Sequence, residues 1–253
     1  MLAESRAGVI CTPHSEASAA GMRVLDAGGT AIDAMLAASA MLSAVYPHMT
    51  GLGGDALWMI HDRRVRTIVG IGQAGQLLPD GGVIGLRGPS AVATTAGALA
   101  SWQTAHNISR GEWGSRMGWQ DLLGEAAQVA RAGAEVSESH LFWQQQRQAL
   151  IETLPDLKAL CQVDGRWLQA GDLLRQPQLA NTLEQLARHG VEDFYHGELA
   201  SAFAESFKRI GCGLRREDLA ATRAEECAPL SIRYRQGTLY NVAPPCQGLY
   251  TLQ

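Results

Sequence analysis

The stretch that decides the fold is residues 47–55, Pro-His-Met-Thr-Gly-Leu-Gly-Gly-Asp, a glycine-rich turn between a helical and an extended pattern. Before the turn, alanines recur from Ala31 to Ala44, a pattern typical of a helix that packs closely against another element. After the turn, residues 56–60 and 65–71 form two short apolar patterns around residues 62–64, which predicts a β-hairpin. We therefore expect the chain to pass from a helix, through this turn, into an antiparallel sheet.

The rest of the chain is mostly helical, with a second extended region at its end. Helical patterns begin at Ser15 and end at Gly28-Gly29, and then recur over residues 31–45, 95–106, 119–132, 141–153, 178–189, 193–210 and 216–222. Extended patterns cover residues 9–11, 231–235 and 238–242. This order predicts an α+β or a layered α/β fold, and an antiparallel sheet with helices packed on it suits it better than a Rossmann fold.

Composition excludes several classes of protein. The 253 residues are 46% hydrophobic and 18% charged with a formal net charge of -4, so neither a disordered chain nor a basic nucleic-acid-binding surface is expected. No apolar run is long enough to cross a bilayer, and the N-terminus does not match a secretion signal. The 5 scattered cysteines indicate reduced thiols. We expect a cytoplasmic protein that binds neither a membrane nor nucleic acid.

Short motifs identify no catalytic centre. The glycine turn lacks the Gly-Lys-Ser/Thr of a phosphate-binding loop, and a strand pattern follows it. No His-Glu-x-x-His pattern occurs, so no metal site is expected, and His48 is interpreted as a structural histidine. Thr95 is internal and has no free α-amine to act as its base, so it is interpreted as a helix cap.

Five segments taken together carry a family pattern. They are residues 12–34, 47–55, 122–137, 194–197 and 217–245. In this order and spacing they resemble the large subunit of γ-glutamyltransferases and their amidohydrolase relatives, and the resemblance covers essentially the whole chain. It implies an N-terminal-nucleophile (Ntn) hydrolase, an α+β four-layer αββα sandwich made as a proenzyme that cuts itself before a threonine. That threonine becomes the nucleophile, its α-amine is the general base, and an oxyanion hole stabilises the intermediate.

The resemblance also implies that the nucleophile lies elsewhere. In the family it follows well beyond the segment that matches Pro244-Pro245, whereas this sequence ends at Gln253. We therefore expect residues 1–253 to be the large-subunit portion of a single Ntn-hydrolase domain, inactive alone and with no catalytic residue of its own. The expected partners are the small subunit from the same proenzyme and a small-molecule amide, with no cofactor or metal. A dimer of such heterodimers is a further expectation.

The resemblance implies that substrate choice depends on the end of the second hairpin strand. Typical family members place an arginine there that grips the α-carboxylate of a glutamyl group, but the matching position is Ile71. Isoleucine cannot offer the charged fork of arginine. The loop Met49–Trp58 is similar to a subgroup that includes oxamate amidohydrolase and certain acylases, which favours a small amide such as oxamate.

The resemblance assigns two groups of site residues. The residues predicted to border the acyl pocket are Ile71, Gly72 and Gln73; those predicted to support the sheet beneath it are His48, Gly53, Gly54 and Asp55. Two alternatives stay open. One is a γ-glutamyl hydrolase or transferase acting on glutathione-like substrates, with its arginine displaced or supplied from outside the chain. The other is a non-catalytic scaffold subunit.

Overall fold

The computed structural model describes residues 8–77 and 83–253. Its helices are α1 (Ser15–Asp26), α2 (Ala31–Val45), α3 (Ala98–Gly111), α4 (Trp119–Ala132), α5 (Glu138–Ile151), α6 (Pro155–Leu160), α7 (Pro177–His189), α8 (Asp193–His196), α9 (Glu198–Arg209), α10 (Arg216–Ala220) and α11 (Gly248–Leu252). Its strands are β1 (Ala56–Asp62), β2 (Arg64–Gly70), β3 (Ala134–Glu135), β4 (Gln162–Val163), β5 (Arg166–Trp167), β6 (Leu173–Leu174), β7 (Glu225–Cys227), β8 (Leu230–Tyr234) and β9 (Gly237–Asn241).

The chain divides into two compact units. One comprises the chain up to Leu52 together with residues 108–193, and the other comprises residues 53–107 and 194–253. The first unit is mainly helical, and the second contains the largest of the described sheets. In the part of the chain that the structure describes, no helix is long and apolar enough to cross a membrane.

Helix α2 is the buried centre of the first unit. Its start is fixed by a capping box, in which Asp33 N donates to Thr30 Oγ1 at 3.2 Å and Thr30 N donates to Asp33 Oδ2 at 2.9 Å. Leu36 and Met41 are fully buried, and each contributes about 1.5–3 kcal/mol by leaving water. The small side chains allow close packing, since a Cβ on Gly21 of α1 would lie 2.8 Å from the Ala34 carbonyl oxygen.

An antiparallel sheet organises the second unit. Strand β2 lies between β1 and β7, and the β1–β2 register runs from Ala56 opposite Gly70 to Asp62 opposite Arg64. The sheet packs on the start of α3, because a Cβ on Gly70 would lie 2.5 Å from the Ser101 Cβ. The Trp58 indole donates to Ser101 Oγ at 2.9 Å across the same contact. The close approach of strand and helix therefore requires glycine at position 70.

Tyr195 fixes the start of α3 within this unit. Its hydroxyl accepts a hydrogen bond from Ala100 N at 2.8 Å and donates one to the Ala96 carbonyl at 2.7 Å. The first N–H groups of a helix have no partner within the helix, so the tyrosine supplies what a capping side chain would supply elsewhere. The Tyr195 side chain is buried with 2% of its surface exposed.

Most sequence-based expectations for the elements are confirmed, and the α+β class among them. Helix α4 has the predicted bounds, and both hairpins form. Two expectations are wrong. The helix predicted over residues 193–210 is interrupted at Gly197, and residues 9–11 belong to no strand.

Candidate functional site

The last residues of the glycine turn, 53–55, meet the end of strand β2 in the second unit. The Asp55 carboxylate accepts a hydrogen bond from Gly72 N at 2.9 Å, and the Gly54 carbonyl accepts one from Ala98 N at 2.9 Å. The turn therefore connects the segment that follows β2 with the first residue of α3. The predicted supporting role of Gly53, Gly54 and Asp55 stays a prediction.

The segment that follows β2 runs beside residues 93–95. Gln73 N donates to Thr95 Oγ1 at 3.2 Å, Thr95 N donates to the Gln73 carbonyl at 2.9 Å, and Ala74 bridges Thr94 in antiparallel fashion. A Cβ on Gly72 would lie 1.5 Å from the Thr95 carbonyl oxygen, so no side chain fits there. Thr95 is not a helix cap as predicted: α3 begins only at Ala98, and the Thr95 hydroxyl instead accepts from Gln73 N and, at 2.8 Å, from Thr222 Oγ1.

The Gln73 side chain is fully engaged with backbone groups. Its Nε2 donates to the Ile71 carbonyl at 2.8 Å and to the Arg223 carbonyl at 3.2 Å. Its Oε1 accepts from Arg223 N at 2.9 Å. Of the three residues predicted to border the acyl pocket, Gly72 has no side chain and Gln73 uses its side chain in these hydrogen bonds. Ile71 is therefore the one whose side chain could contact a substrate. Ile71 is half-buried.

Arginines near the hairpin do not take the place left by Ile71. Arg63 and Arg64 lie at the β1–β2 turn and are exposed. Arg66 has 5% of its surface exposed, and its guanidinium lies 3.5 Å from the Glu226 carboxylate on β7. Its charge is thus already opposed within the sheet.

His48 belongs to the first unit, where it joins the end of α2 to the start of α5. Its Nε2 lies 2.9 Å from Ser139 Oγ, and Tyr46 Oη lies 3.0 Å from the same oxygen. Burial, followed by the nearby His140 and His14 side chains, lowers the pKa of His48 to about 4. Burial also lowers the pKa of His140, whose ring centroid is 5.2 Å from that of His48. A neutral imidazole in such a cluster suits a structural role.

Sequence reasoning missed the residues that complete these contacts. Ser139 and His140 at the start of α5, and Thr222 and Arg223 before β7, carried no motif. Their partners are remote in sequence, so only the fold brings them together. Among the residues that the structure describes, no group of three or more His, Cys, Asp or Glu side chains could hold a metal ion.

Comparison with known proteins identifies the family. The gamma-glutamyltranspeptidase family model matches residues 17–253. Gamma-glutamyltranspeptidase from Pseudomonas nitroreducens, solved in complex with L-DON, is similar over 97% of this chain and 73% of its own, with a TM-score of 0.85 and 25% identity. The fold is therefore that of the Ntn hydrolases, as the resemblance implied. The chain belongs to the gamma-glutamyltranspeptidase family.

Two curated relatives differ in the activity that their names state. The oxamate amidohydrolase proenzyme of Klebsiella pneumoniae subsp. pneumoniae is 38% identical over 97% of this chain and 48% of its own length. The glutathione hydrolase-like YwrD proenzyme of Bacillus subtilis is 32% identical over 95% of this chain and 46% of its own length. The chain thus spans about half the length of the curated relatives it matches.

Proposed function

We propose that this chain is the large-subunit part of an autoprocessed amidohydrolase that cleaves a small amide, with oxamate as the first substrate to test. The other half of the proenzyme would carry the nucleophilic threonine at a new N-terminus. Two observations support this proposal. A relative 38% identical is named an oxamate amidohydrolase proenzyme, and the residue after β2 is an uncharged isoleucine.

The proposed substrate class rests on the chemistry of Ile71, Gly72 and Gln73, the residues that we propose as the wall of the acyl pocket. A glutamyl α-carboxylate is best bound by an arginine fork, which makes two parallel charge-assisted hydrogen bonds. Here Ile71 is apolar, Gly72 has no side chain, and the carboxamide of Gln73 is occupied by Ile71 and Arg223. This wall therefore offers no cation to a glutamyl α-carboxylate at this point, and the carboxylate that oxamate also carries would be bound elsewhere in the pocket.

The chemistry belongs to the other half of the proenzyme. The threonine hydroxyl oxygen would attack the amide carbonyl carbon while the threonine's own α-amine takes the hydroxyl proton. The same amine would return that proton to the leaving nitrogen as the carbon–nitrogen bond breaks. Water would then hydrolyse the ester and release the acid. This chain would contribute the acyl-pocket wall and its support.

The outer face of the sheet supports docking of the other half. Leu57 and Met59 lie on one face of β1, opposite Val69 and Thr67 of β2, and are 45% and 47% exposed. Adjacent apolar side chains left exposed in this way are typical of surfaces that a partner covers. The half of the relatives' length that this chain does not match is the partner that we propose for this face.

The decisive experiment uses the enzyme made from the complete proenzyme. Intact mass and N-terminal sequencing should show a second polypeptide that starts with threonine. The purified enzyme is then assayed with oxamate, other short amides, a γ-glutamyl amide and glutathione. Turnover of oxamate or another short amide supports the proposal. Preference for glutathione supports the γ-glutamyl alternative, and absence of both cleavage and turnover supports the scaffold.

The Ile71→Arg variant tests the wall directly. An arginine at this position should raise activity on γ-glutamyl amides relative to short amides by on the order of tenfold, because it restores a carboxylate partner. Ile71→Leu is the matched control and should leave that ratio within about twofold, since the side chain stays apolar and of similar volume. An unchanged ratio in Ile71→Arg would contradict the assignment of the wall.

The cellular location and the oligomeric state of the enzyme are also proposals. We propose a cytoplasmic enzyme and a dimer of large-and-small-subunit pairs. Fractionation of the producing cells and light scattering of the mature enzyme test these two statements.

A further inference from the structure

We propose that Gln73 is a positioning residue: its carboxamide ties the Ile71 backbone to Arg223, and so holds the wall of the acyl pocket in place. This inference rests on the proposed function, because it assigns a role within that same site. It goes beyond the expectation that Gln73 borders the acyl pocket, because it assigns the side chain to backbone groups and not to the substrate.

The first step of the argument is the number of groups that the carboxamide uses. A glutamine side chain has two N–H donors and one carbonyl acceptor. Here one donor bonds the Ile71 carbonyl at 2.8 Å, the other bonds the Arg223 carbonyl at 3.2 Å, and the acceptor takes the Arg223 N–H at 2.9 Å. The pair with Arg223 repeats the two-bond pattern of neighbouring strands. If the carboxamide were flipped by about 180°, its NH2 group would face the Arg223 N–H, and two donors would oppose each other.

The second step is the closure of the network through Thr95. The Gln73 backbone bonds Thr95 through both its N–H, at 3.2 Å, and its carbonyl, at 2.9 Å. The Thr95 hydroxyl also accepts from Thr222 Oγ1 at 2.8 Å. Since Thr222 precedes Arg223 directly, the glutamine is linked to this short segment by two routes, one through its side chain and one through Thr95.

The third step concerns Ile71 itself. Gly72 lies against the Thr95 carbonyl, and its N–H donates to Asp55 at 2.9 Å. These contacts fix the backbone at Gly72, the residue that follows Ile71. The Ile71 carbonyl itself is held by the Gln73 side chain. Loss of the carboxamide would free that carbonyl and the Arg223 segment together, so the Ile71 side chain would lose its defined position.

The expected consequence is weaker binding of substrate with chemistry little changed. Ile71 would contact the acyl group equally in the ground state and in the transition state, and loss of such uniform binding raises KM without lowering kcat. A role in folding alone would instead lower the fraction of active enzyme. Titration of active sites separates these two effects, because it counts the competent molecules.

The test compares Gln73→Met with wild type in the mature enzyme. Methionine keeps the length of the side chain but cannot form the three hydrogen bonds. With the short amide that wild type turns over best, KM should rise on the order of tenfold while kcat per titrated active site stays within about twofold. Hydrogen exchange at the Arg223 amide should also quicken. Gln103→Met is the matched control, since it removes an exposed glutamine bond to Asn107 on α3 and should change neither quantity.

The outcomes are distinguishable. An unchanged KM in an active Gln73→Met enzyme overturns this inference but leaves the proposed function intact. A fall in the number of titrated active sites with no change in KM has the same meaning. If wild type turns over neither short amides nor γ-glutamyl amides, the proposed function fails and the positioning role falls with it. If Gln73→Met does not fold, Gln73→Glu replaces it. It keeps the acceptor for Arg223 N–H but loses both donors, and the same rise in KM is required.

Discussion

Asp33 offers a stringent test of how the first unit is held together. Its carboxylate is fully buried and accepts hydrogen bonds from Thr30 N at 2.9 Å, Ser109 Oγ at 2.8 Å and Ser115 Oγ at 2.6 Å. Ser109 has a second neighbour, because its hydroxyl lies 2.6 Å from Thr30 Oγ1. Replacement of Asp33 by alanine therefore leaves two donors without a partner, the Thr30 N–H and the Ser115 hydroxyl.

The expected loss follows from these donors. A buried donor left without a partner costs about 1–3 kcal/mol, and hydrogen bonds to a charged group lie at the upper end of the usual range. Because Thr30 and Ser115 are half-buried and water reaches their donors in part, Asp33→Ala is predicted to lower the free energy of unfolding by about 2–4 kcal/mol. Ser115→Ala removes one of the bonds and should cost about 1–2 kcal/mol.

The measurement is denaturant unfolding of the mature enzyme, followed by a spectroscopic signal of this unit. Asp26→Ala is the matched control, since Asp26 is an exposed aspartate at the end of α1 in the same unit and should change stability by less than about 0.5 kcal/mol. A loss below about 1 kcal/mol for Asp33→Ala would refute the reasoning, because it would mean that water or rearranged hydroxyls satisfy the donors at little cost.

Two further predictions concern stability. The pKa of His48 is lowered from 6.5 to about 4, so the unfolded chain binds the proton first as pH falls; stability is complete above about pH 6.5 and is lost toward pH 4. The full shift would correspond to about 3 kcal/mol, and partial exposure of the ring reduces this to roughly 1–2 kcal/mol. His48→Asn should flatten that part of the stability–pH curve, and a curve parallel to wild type would contradict it. Tyr195→Phe should cost about 1–3 kcal/mol and speed hydrogen exchange at Ala100, since Ala100 N and the Ala96 carbonyl lose their partner; unchanged exchange at Ala100 would argue against this capping role.

Local signals in the sequence predicted the elements where the cause is itself local. The capping box at Thr30 and Asp33 opens α2 where it was expected, and Gly133 ends α4. A capping box acts within one turn of helix, so adjacent residues contain all the information needed. The prediction failed at Gly197 because the apolar stripe on both sides of the break is continuous in helical spacing, which hides the interruption.

Local sequence patterns could not predict contacts between residues that are far apart in the chain. The sequence predicts a helix cap at Thr95, because threonine is among the residues preferred just before a helix. Its actual partner, Thr222, lies 127 residues further along the chain. Gln73 was assigned to the pocket by position alone, and its bond to Arg223 joins residues 150 apart. Neither partner carries a motif, so only the three-dimensional arrangement identifies the pair.

The contact between Gly72 and the Thr95 carbonyl bears on how the proposed acyl-pocket wall could be redesigned. No other amino acid fits at position 72 without displacing the backbone, since a Cβ there would lie 1.5 Å from the carbonyl oxygen. In a library that randomises residues 71–73 together, most variants would consequently carry a side chain at position 72 and could not pack. Diversity placed at Ile71 alone samples the one side chain that is free to change, and any shift in selectivity can then be ascribed to a single position.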